Sequence, residues 1–439
     1  MHRSHALMLC LAVATASDLL LAASPWPAEA NTAALKLPML DPEFASDMSG
    51  AYWNATTRTF WVCCNNPGMF WALVEDGAGG WKIATSGATL ARWVAGGDLE
   101  GICQPDDSQP FVYLMDENGY IRQYDVTNFG VINQPRTWDI RAFAGPNGGS
   151  GPEAITFVPD EWLRREGFRD ASGALRTSSN GMGGLMFVGH QTGGYVHVFD
   201  LNPGNNTFSY YGKILTSRAE TADLAFDRAT GKLYIWHNID SNYLEVAELN
   251  STPVGNERRF RTLIEYNGPR AGNLEGIALA SNPQADAWFM VTDDDNLNGE
   301  AVTIYKHFSP NQDTDNDGLT DEWELRYFGS TAVTSGSRDS DGDGQTDLQE
   351  FHAGTDPTNP LSQLRIRSVT LNGPDVLIRW QSTGGRSNIV QSALSPEDEF
   401  TDLSPPIVIP GSGDAFAEYL HSGAAANSPA RFYRVRTVP

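Results

Sequence analysis

The chain has 439 residues, with 30 Lys and Arg against 54 Asp and Glu, giving a formal net charge of −24. That balance excludes nucleic acid as a partner, because phosphate recognition needs a basic stripe, and it repels other polyanions unless a cation bridges them. The length exceeds one ordinary domain unless the architecture is repetitive. Past the N-terminus, no apolar run approaches the roughly 20 residues of a membrane-spanning helix.

In chain order, residues 1–30 read as an export signal. Arg3, flanked by His2 and His5, precedes the apolar stretch Ala6 to Ala16, and Ala28-Glu29-Ala30 offers a cleavage site, with Ala14-Thr15-Ala16 an earlier one. A secreted, extracellular protein is expected. Beyond that point only Cys63, Cys64 and Cys103 remain. They are compatible with one bridge from Cys103 to Cys63 or Cys64, or with three buried thiols.

From there to about residue 309 a repeat recurs with a period near 52 residues. The repeats open Asp47-Met48-Ser49-Gly50-Ala51, Asp98-Leu99-Glu100-Gly101-Ile102, Gly151-Pro152-Glu153-Ala154-Ile155, Thr221-Ala222-Asp223-Leu224-Ala225 and Asn273-Leu274-Glu275-Gly276-Ile277. Each opening leads to an aromatic-rich strand with a polar or thiol end (Phe60–Cys64, Phe111–Asp116, Leu185–His190, Leu233–His237, Trp288–Asp293), then turn residues and further strands. Short strands, turn punctuation and a steady period predict an all-β fold, a five-bladed β-propeller over residues 31–309. The fifth repeat lacks an outer strand, and Ala33–Leu40 is expected to supply it and close the ring. The third carries an insertion, Phe157–Gly184, with a helical stretch at Asp160–Arg169.

Residues 310–360 hold two loops that follow a calcium pattern position by position. The first has Asp313, Asp315, Asp317, Gly318, Asp321 and Glu324, and the second has Asp339, Asp341, Asp343, Gly344, Asp347 and Glu350. Ca²⁺ takes six to eight oxygens at about 2.3–2.6 Å. Alternate carboxylates surround the ion, glycine makes the turn, the carbonyls of Leu319 and Gln345 add a ligand each, and the final Glu closes the shell. Such loops suit an extracellular setting, where weak sites still fill. Residues 361–439 alternate again as strands (Leu364–Leu371, Asp375–Gln381, Asn388–Gln391, Arg431–Thr437), enough for a small C-terminal β-sandwich.

The Glu-Gly-Ile openings, each followed by a strand ending in Asp, resemble the SdiA-regulated family and the related esterase-like phytase domain. The segment Asp313–Pro360, with Trp323-Glu324 and Phe351-His352-Ala353-Gly354-Thr355-Asp356-Pro357, looks like the thrombospondin type 3-like calcium segments of exported bacterial proteins. The tail through Phe432-Tyr433-Arg434-Val435-Arg436 is similar to the β-modules that follow such segments. Repeat one departs with Ser49 where an acid is expected, and repeat four reads Asp223-Leu224-Ala225.

In a propeller, the acids opening the first strands (Glu100, Glu153, Asp223, Glu275) and the residues ending the second strands (Asp116, His190, His237, Asp293) should share one channel mouth. Glu100, Glu153, Asp223, Glu275, His190 and His237 are the candidates for catalysis, and Asp116 and Asp293 for ligand contact. Clustered carboxylates suit metal binding or acid–base hydrolysis. They suit equally a structural clasp in which each acid bonds backbone amides of the next blade. No Gly-x-Ser-x-Gly elbow is present, which disfavours a serine nucleophile. Two functions follow: a secreted calcium-binding propeller that takes an extracellular glycan, protein or small molecule at its acidic mouth, or a metal-assisted hydrolase of phosphate or other esters.

Overall fold

The computed structural model describes residues 23–28, 34–37, 41, 47–147, 150–239, 241–281, 287–295, 301–308, 313, 315, 317–410, 413–425 and 431–438. Residues 1–30, expected to be an export signal, fall mostly outside these residues. Their described end is packed against the body of the protein: Ser24 N–H donates to Glu265 O (2.7 Å) and Asn267 N–H to Ser24 O (2.8 Å). The Trp26 ring sits 5.2 Å from Phe289 and 5.4 Å from Phe308.

The protein is mostly β. Five antiparallel meanders follow one another, each beginning where the repeat openings lie. The first comprises Met48–Asn54, Thr59–Cys64, Met69–Glu75 and Trp81–Ile83, and the second Leu99–Cys103, Phe111–Asp116, Tyr120–Asp125 and Arg136–Asp139. The third comprises Pro152–Pro159, Gly184–His190, Tyr195–Leu201 and Phe208–Leu215, and the fourth Asp223–Phe226, Leu233–His237, Tyr243–Val254 and Glu257–Asn267. The fifth has Leu274–Ala280, Ala287–Asp293 and Val302–Phe308 from its own repeat, and Ala34–Leu37 as its outer strand. Ala34 pairs with Tyr305 and Leu37 with Val302, so the N-terminal strand covers an edge that the fifth repeat leaves open.

The meanders are not all separate. The last two strands of the fourth are 12 and 11 residues long, and the overshoot lets Arg259 bridge Leu215, joining the third and fourth meanders into one eight-stranded sheet. The insertion forms a helix over Asp160–Arg165, shorter than the sequence suggests.

The first strands neighbour one another in a closed cycle, from Met48–Asn54 through the second, third, fourth and fifth and back. This is a propeller-like arrangement, and glycine makes it tight. A Cβ on Gly50 would lie 2.5 Å from Gly101 Cα, and one on Gly101 2.6 Å from Glu153 O. One on Gly276 would collide with the Ser49 carbonyl. The apolar cores lie between successive meanders rather than within them: Trp61, Phe70, Trp71 and Trp93 pack with Leu114 and Tyr124, and Tyr234 and Trp236 with Phe289 and Phe308. Cys63, Cys64 and Cys103 are buried free thiols, so the alternative of a bridge is not realised. Burial pushes Cys64 up to about 11.

After two short helices in the calcium segment, the C-terminal strands form a three-stranded sheet (Arg365–Asn372, Asp375–Thr383, Asp414–His421) and a second sheet built on Ser387–Ala393 and Phe432–Val438. Ile378, Trp380 and Val390 are buried in a separate core. The strand Asp414–His421 was not anticipated from the sequence.

The close approach at the axis gives a direct test. Gly276→Ala should lower stability by about 1–3 kcal/mol or more, because backbone rather than a mobile side chain must move. Equal chemical-denaturation midpoints for Gly276→Ala and wild type would show that the strands are not packed this closely.

Candidate functional site

Each calcium loop turns on a glycine in the left-handed region, Gly318 at φ 94° and Gly344 at φ 95°, which a residue with a Cβ avoids. The turn gathers Asp313, Asp315 and Asp317 in the first loop and Asp339, Asp341 and Asp343 in the second. Each trio offers three carboxylate oxygens within 4.8 Å of one another. Backbone amides set their orientation. Gly318 N–H donates to Asp313 (2.9 Å) and Leu319 N–H to Asp317 (2.8 Å). In the second loop Gly344 N–H donates to Asp339 (3.0 Å), Asp343 N–H to Asp341 (3.0 Å) and Gln345 N–H to Asp343 (2.6 Å).

Each loop then runs into a helix, Asp321–Phe328 and Asp347–Ala353, started by the side chains of Thr320 and Thr346. These helices, absent from the sequence reading, carry the twelfth loop residue inward. Glu324 and Glu350 are fully buried. Among the described residues, neither oxygen of Glu324 has a hydrogen-bond partner, and one oxygen of Glu350 has none. Burial, and then the facing aspartates, pushes Glu324 up to about 7 and Glu350 up to about 8. A buried, ionised carboxylate facing three others is strongly unfavourable, and either a proton or a bound cation relieves it. The donors are all hard oxygens, which fits calcium or a similar cation.

One residue departs from the loop pattern. Asp347 is buried and accepts from Ser340 N–H (2.9 Å), Ser340 Oγ (2.7 Å) and Thr334 Oγ1, so it braces the loop rather than facing open toward an ion. The first loop is tied to the segment leading into the second, since Asp317 also accepts from Gly336 N–H at 2.7 Å.

At the axis, the strand register places the ends of the second strands beside the starts of the first: Asp116 faces Leu99, His190 faces Pro152, and Asp293 faces Leu274. The outer four candidates are nevertheless occupied locally. Asp116 pairs with Arg122, and Asp293 with Arg270. His190 Nδ1 accepts from Thr192 N–H (3.0 Å), which leaves Nε2 to donate to Gly145 O (3.2 Å). His237 Nδ1 meets Glu220 O, and its Nε2 meets Glu245 at 3.1 Å and Ser217 Oγ at 3.3 Å. Both imidazoles therefore have no nitrogen left for a metal. The grouping Ser217, His237 and Glu245 is also not a triad, because serine and carboxylate approach the same nitrogen.

The inner four divide. Asp223 is a clasp: buried, it accepts from Ile277 N–H (2.7 Å) of the fifth meander, Leu224 N–H (2.8 Å) and Ala51 N–H (3.5 Å) of the first. The others are not clasps. Glu275 accepts from Ser49 Oγ (3.2 Å) and Asn273 Nδ2 (3.0 Å). Burial raises Glu100 to about 7; the Ser49 hydroxyl offsets part of this, and Asp98 and Glu117 add to it. Glu153 is raised well above the usual carboxylate range by burial and by Glu275, Glu100, Glu220 and Glu117. Ser49, standing where an acid was expected, thus donates to Glu275.

The sequence reading missed Asp98, Glu117, Glu220 and Asp294, which belong to the same mouth. Asp98, Glu100 and Glu117 bring one oxygen each within 4.8 Å of the others, and Asn273 Nδ2 ties Asp294 (2.6 Å) to Glu275. A signal was present: the residue after each second strand is polar in all five repeats, namely Asn65, Glu117, Gln191, Asn238 and Asp294.

A family model described as the bacterial TSP3 repeat matches residues 313–330 and 339–360. The two loops and their helices are TSP3-like repeats. This agrees with the thrombospondin type 3 likeness carried by Asp313–Pro360. No curated protein matches the chain. Among solved structures, a chain of a nidogen/laminin complex aligns at TM-score 0.33 and 10% identity, over 60% of this chain and 87% of its own. Chaetomium thermophilum Raptor aligns at TM-score 0.32 and 10% identity, over 62% of this chain and 20% of its own. At that distance neither bears on chemistry.

The mouth gives a pH test. Glu100 and Glu220 move from an ordinary value of 4.5 up to about 7 in the folded protein. Between those values the folded state holds more protons than the unfolded one. Their contribution is therefore complete below about pH 4.5 and is lost as pH rises through about 7. In EDTA, the melting temperature should fall across this window, with Glu324 and Glu350 acting in the same direction, and Glu100→Gln should flatten the slope. An identical slope for Glu100→Gln would contradict the assignment.

Proposed function

We propose that this chain is an exported calcium-binding protein. In this reading a five-bladed propeller (residues 31–309) is joined through the TSP3 segment (310–360) to a C-terminal β-sandwich (361–439), and its acidic mouth binds an extracellular glycan, protein or small molecule. The observation that carries the calcium part is the burial of Glu324 and Glu350 with unpartnered oxygens opposite two aspartate trios. Asp313, Asp315, Asp317, Glu324 and the Leu319 carbonyl would hold one ion, with Asp321 at loop position nine. Asp339, Asp341, Asp343, Glu350 and the Gln345 carbonyl would hold the other. Bound calcium neutralises the trios and fixes the two helices in place. Kinship of the propeller with the SdiA-regulated and esterase-like phytase families belongs to this proposal.

The packing of Ser24 and Trp26 against the fourth and fifth meanders favours leader cleavage at Ala14-Thr15-Ala16 over Ala28-Glu29-Ala30, since the later cut would remove them. A second reading, a metal-assisted hydrolase, rests on Asp98, Glu100 and Glu117. That trio could hold a divalent cation, with Glu153 beside it as a proton-carrying acid.

Calorimetric titration of the metal-stripped chain tests the calcium reading. Two calcium ions should bind, and Glu324→Gln with Glu350→Gln should weaken them by at least about tenfold, or 1.4 kcal/mol per site. No calcium uptake, or unchanged affinity in the double variant, would refute it. Residual divalent binding by the double variant would instead favour a separate site at the mouth.

A further inference from the structure

A cavity of about 530 Å³ lies where three parts of the chain meet. One wall comes from helix Asp160–Arg165 and the fourth meander, the floor from the two TSP3 helices, and the far wall from the turn 383–386 of the C-terminal strands. In a chain of net charge −24, this cavity collects Arg165, Lys232, Arg261, Arg326 and Arg386.

Four acids line it too, Glu166, Glu248, Asp356 and Asp414, which leaves the lining with one positive charge in excess. Glu248 pairs with Arg326 (3.2 Å) and Arg261 (3.6 Å), and Arg165 has Glu166 at 3.9 Å. Among the described residues, Lys232 and Arg386 make no close ion pair, though both are attracted by Glu166. Arg386 reaches from the C-terminal sheets across to the second helix, where its Nη2 donates to Phe351 O at 3.4 Å and its stem lies flat against Gly354. Burial lowers the Arg386 pKa; Glu166 opposes this, while Arg165 and Arg326 reinforce it. The floor is aromatic: the Trp323 ring sits 5.1 Å from Tyr327 and 5.7 Å from Phe351.

The same two helices serve both the loops and the cavity. Trp323, Arg326 and Tyr327 flank the calcium-loop residue Glu324 on one helix, and Phe351 follows Glu350 on the other. Whatever fixes the glutamates fixes the cavity floor.

We propose that this cavity is a second binding site, taking an acidic sugar of a glycan. The sugar's carboxylate or sulfate meets Arg386 and Lys232, and its ring rests on the Tyr327 and Phe351 edges. The volume lies within the roughly 300–1,000 Å³ of small-ligand sites. Guanidinium suits both oxyanions, offering two parallel donors. The acidic mouth repels this ligand, so the two sites select opposite charges. The dependence on the TSP3 helices rests on the calcium reading; the charge complementarity does not.

The test uses the full-length, calcium-loaded chain and three probes: trigalacturonate, a sulfated uronate-free trisaccharide, and neutral maltotriose. At least one charged probe should bind, maltotriose should not, and rising salt should weaken the binding. Lys232→Gln with Arg386→Gln should lower affinity by about tenfold or more, and Lys232→Gln alone, which leaves the Arg386 contact with Phe351 in place, should also weaken it at an unchanged melting temperature. Calcium titrated into the same samples separates the two readings. If calcium binds normally but neither charged probe does, or the double variant binds them like wild type, the cavity proposal is overturned and the calcium reading stands. If a charged probe binds equally well in EDTA, the coupling between the loops and the cavity is overturned.

Discussion

Carboxylates held close together and out of water must be neutralised, and this protein meets that constraint at two places in different ways. At the axis, protein groups meet most of it. Asp223 takes backbone amides from two meanders, Ser49 and Asn273 hold Glu275, and the remaining acids are raised toward neutrality. In the loops no donor among the described residues reaches either oxygen of Glu324. A cation is the natural answer there, because Asp313, Asp315 and Asp317 already converge on the same space.

The crowding at the axis is a consequence of how the first strands pack. Gly50, Gly101 and Gly276 let neighbouring strands approach until backbone meets backbone. The residue preceding each of these glycines is therefore forced into a narrow mouth. Repeat one answers with serine rather than a fifth acid, and that hydroxyl donates to Glu275.

Much of this was legible in the residues. The repeat openings marked the first strand of every meander, and the strand before repeat one pairs with Val302–Tyr305 as the missing outer strand required. The loop pattern located both aspartate trios. What was not legible depended on side chains meeting across long separations. Nothing near His237 in sequence reveals that Glu220 O and Glu245 occupy its two nitrogens, or that Arg122 and Arg270 neutralise Asp116 and Asp293. Asp223, grouped with the other acids by position, is a clasp because the amides of Ile277 and Ala51, far from it in sequence, reach its carboxylate. Asp347 fits the loop pattern yet braces Ser340 and Thr334. The join between the third and fourth meanders came from strand length, which alternation alone does not specify.

Terbium luminescence tests the central claim, that Glu324 and Glu350 close shells around a cation, most directly. Tb³⁺ is a hard, oxygen-seeking ion, and Trp323 stands beside Glu324 on its helix, positioned to sensitise an ion bound there. Excitation of tryptophan should give terbium emission that calcium competes away and that Trp323→Phe greatly reduces. If stripped protein gives no sensitised emission, or emission that calcium leaves unchanged, the loops do not hold a cation as described.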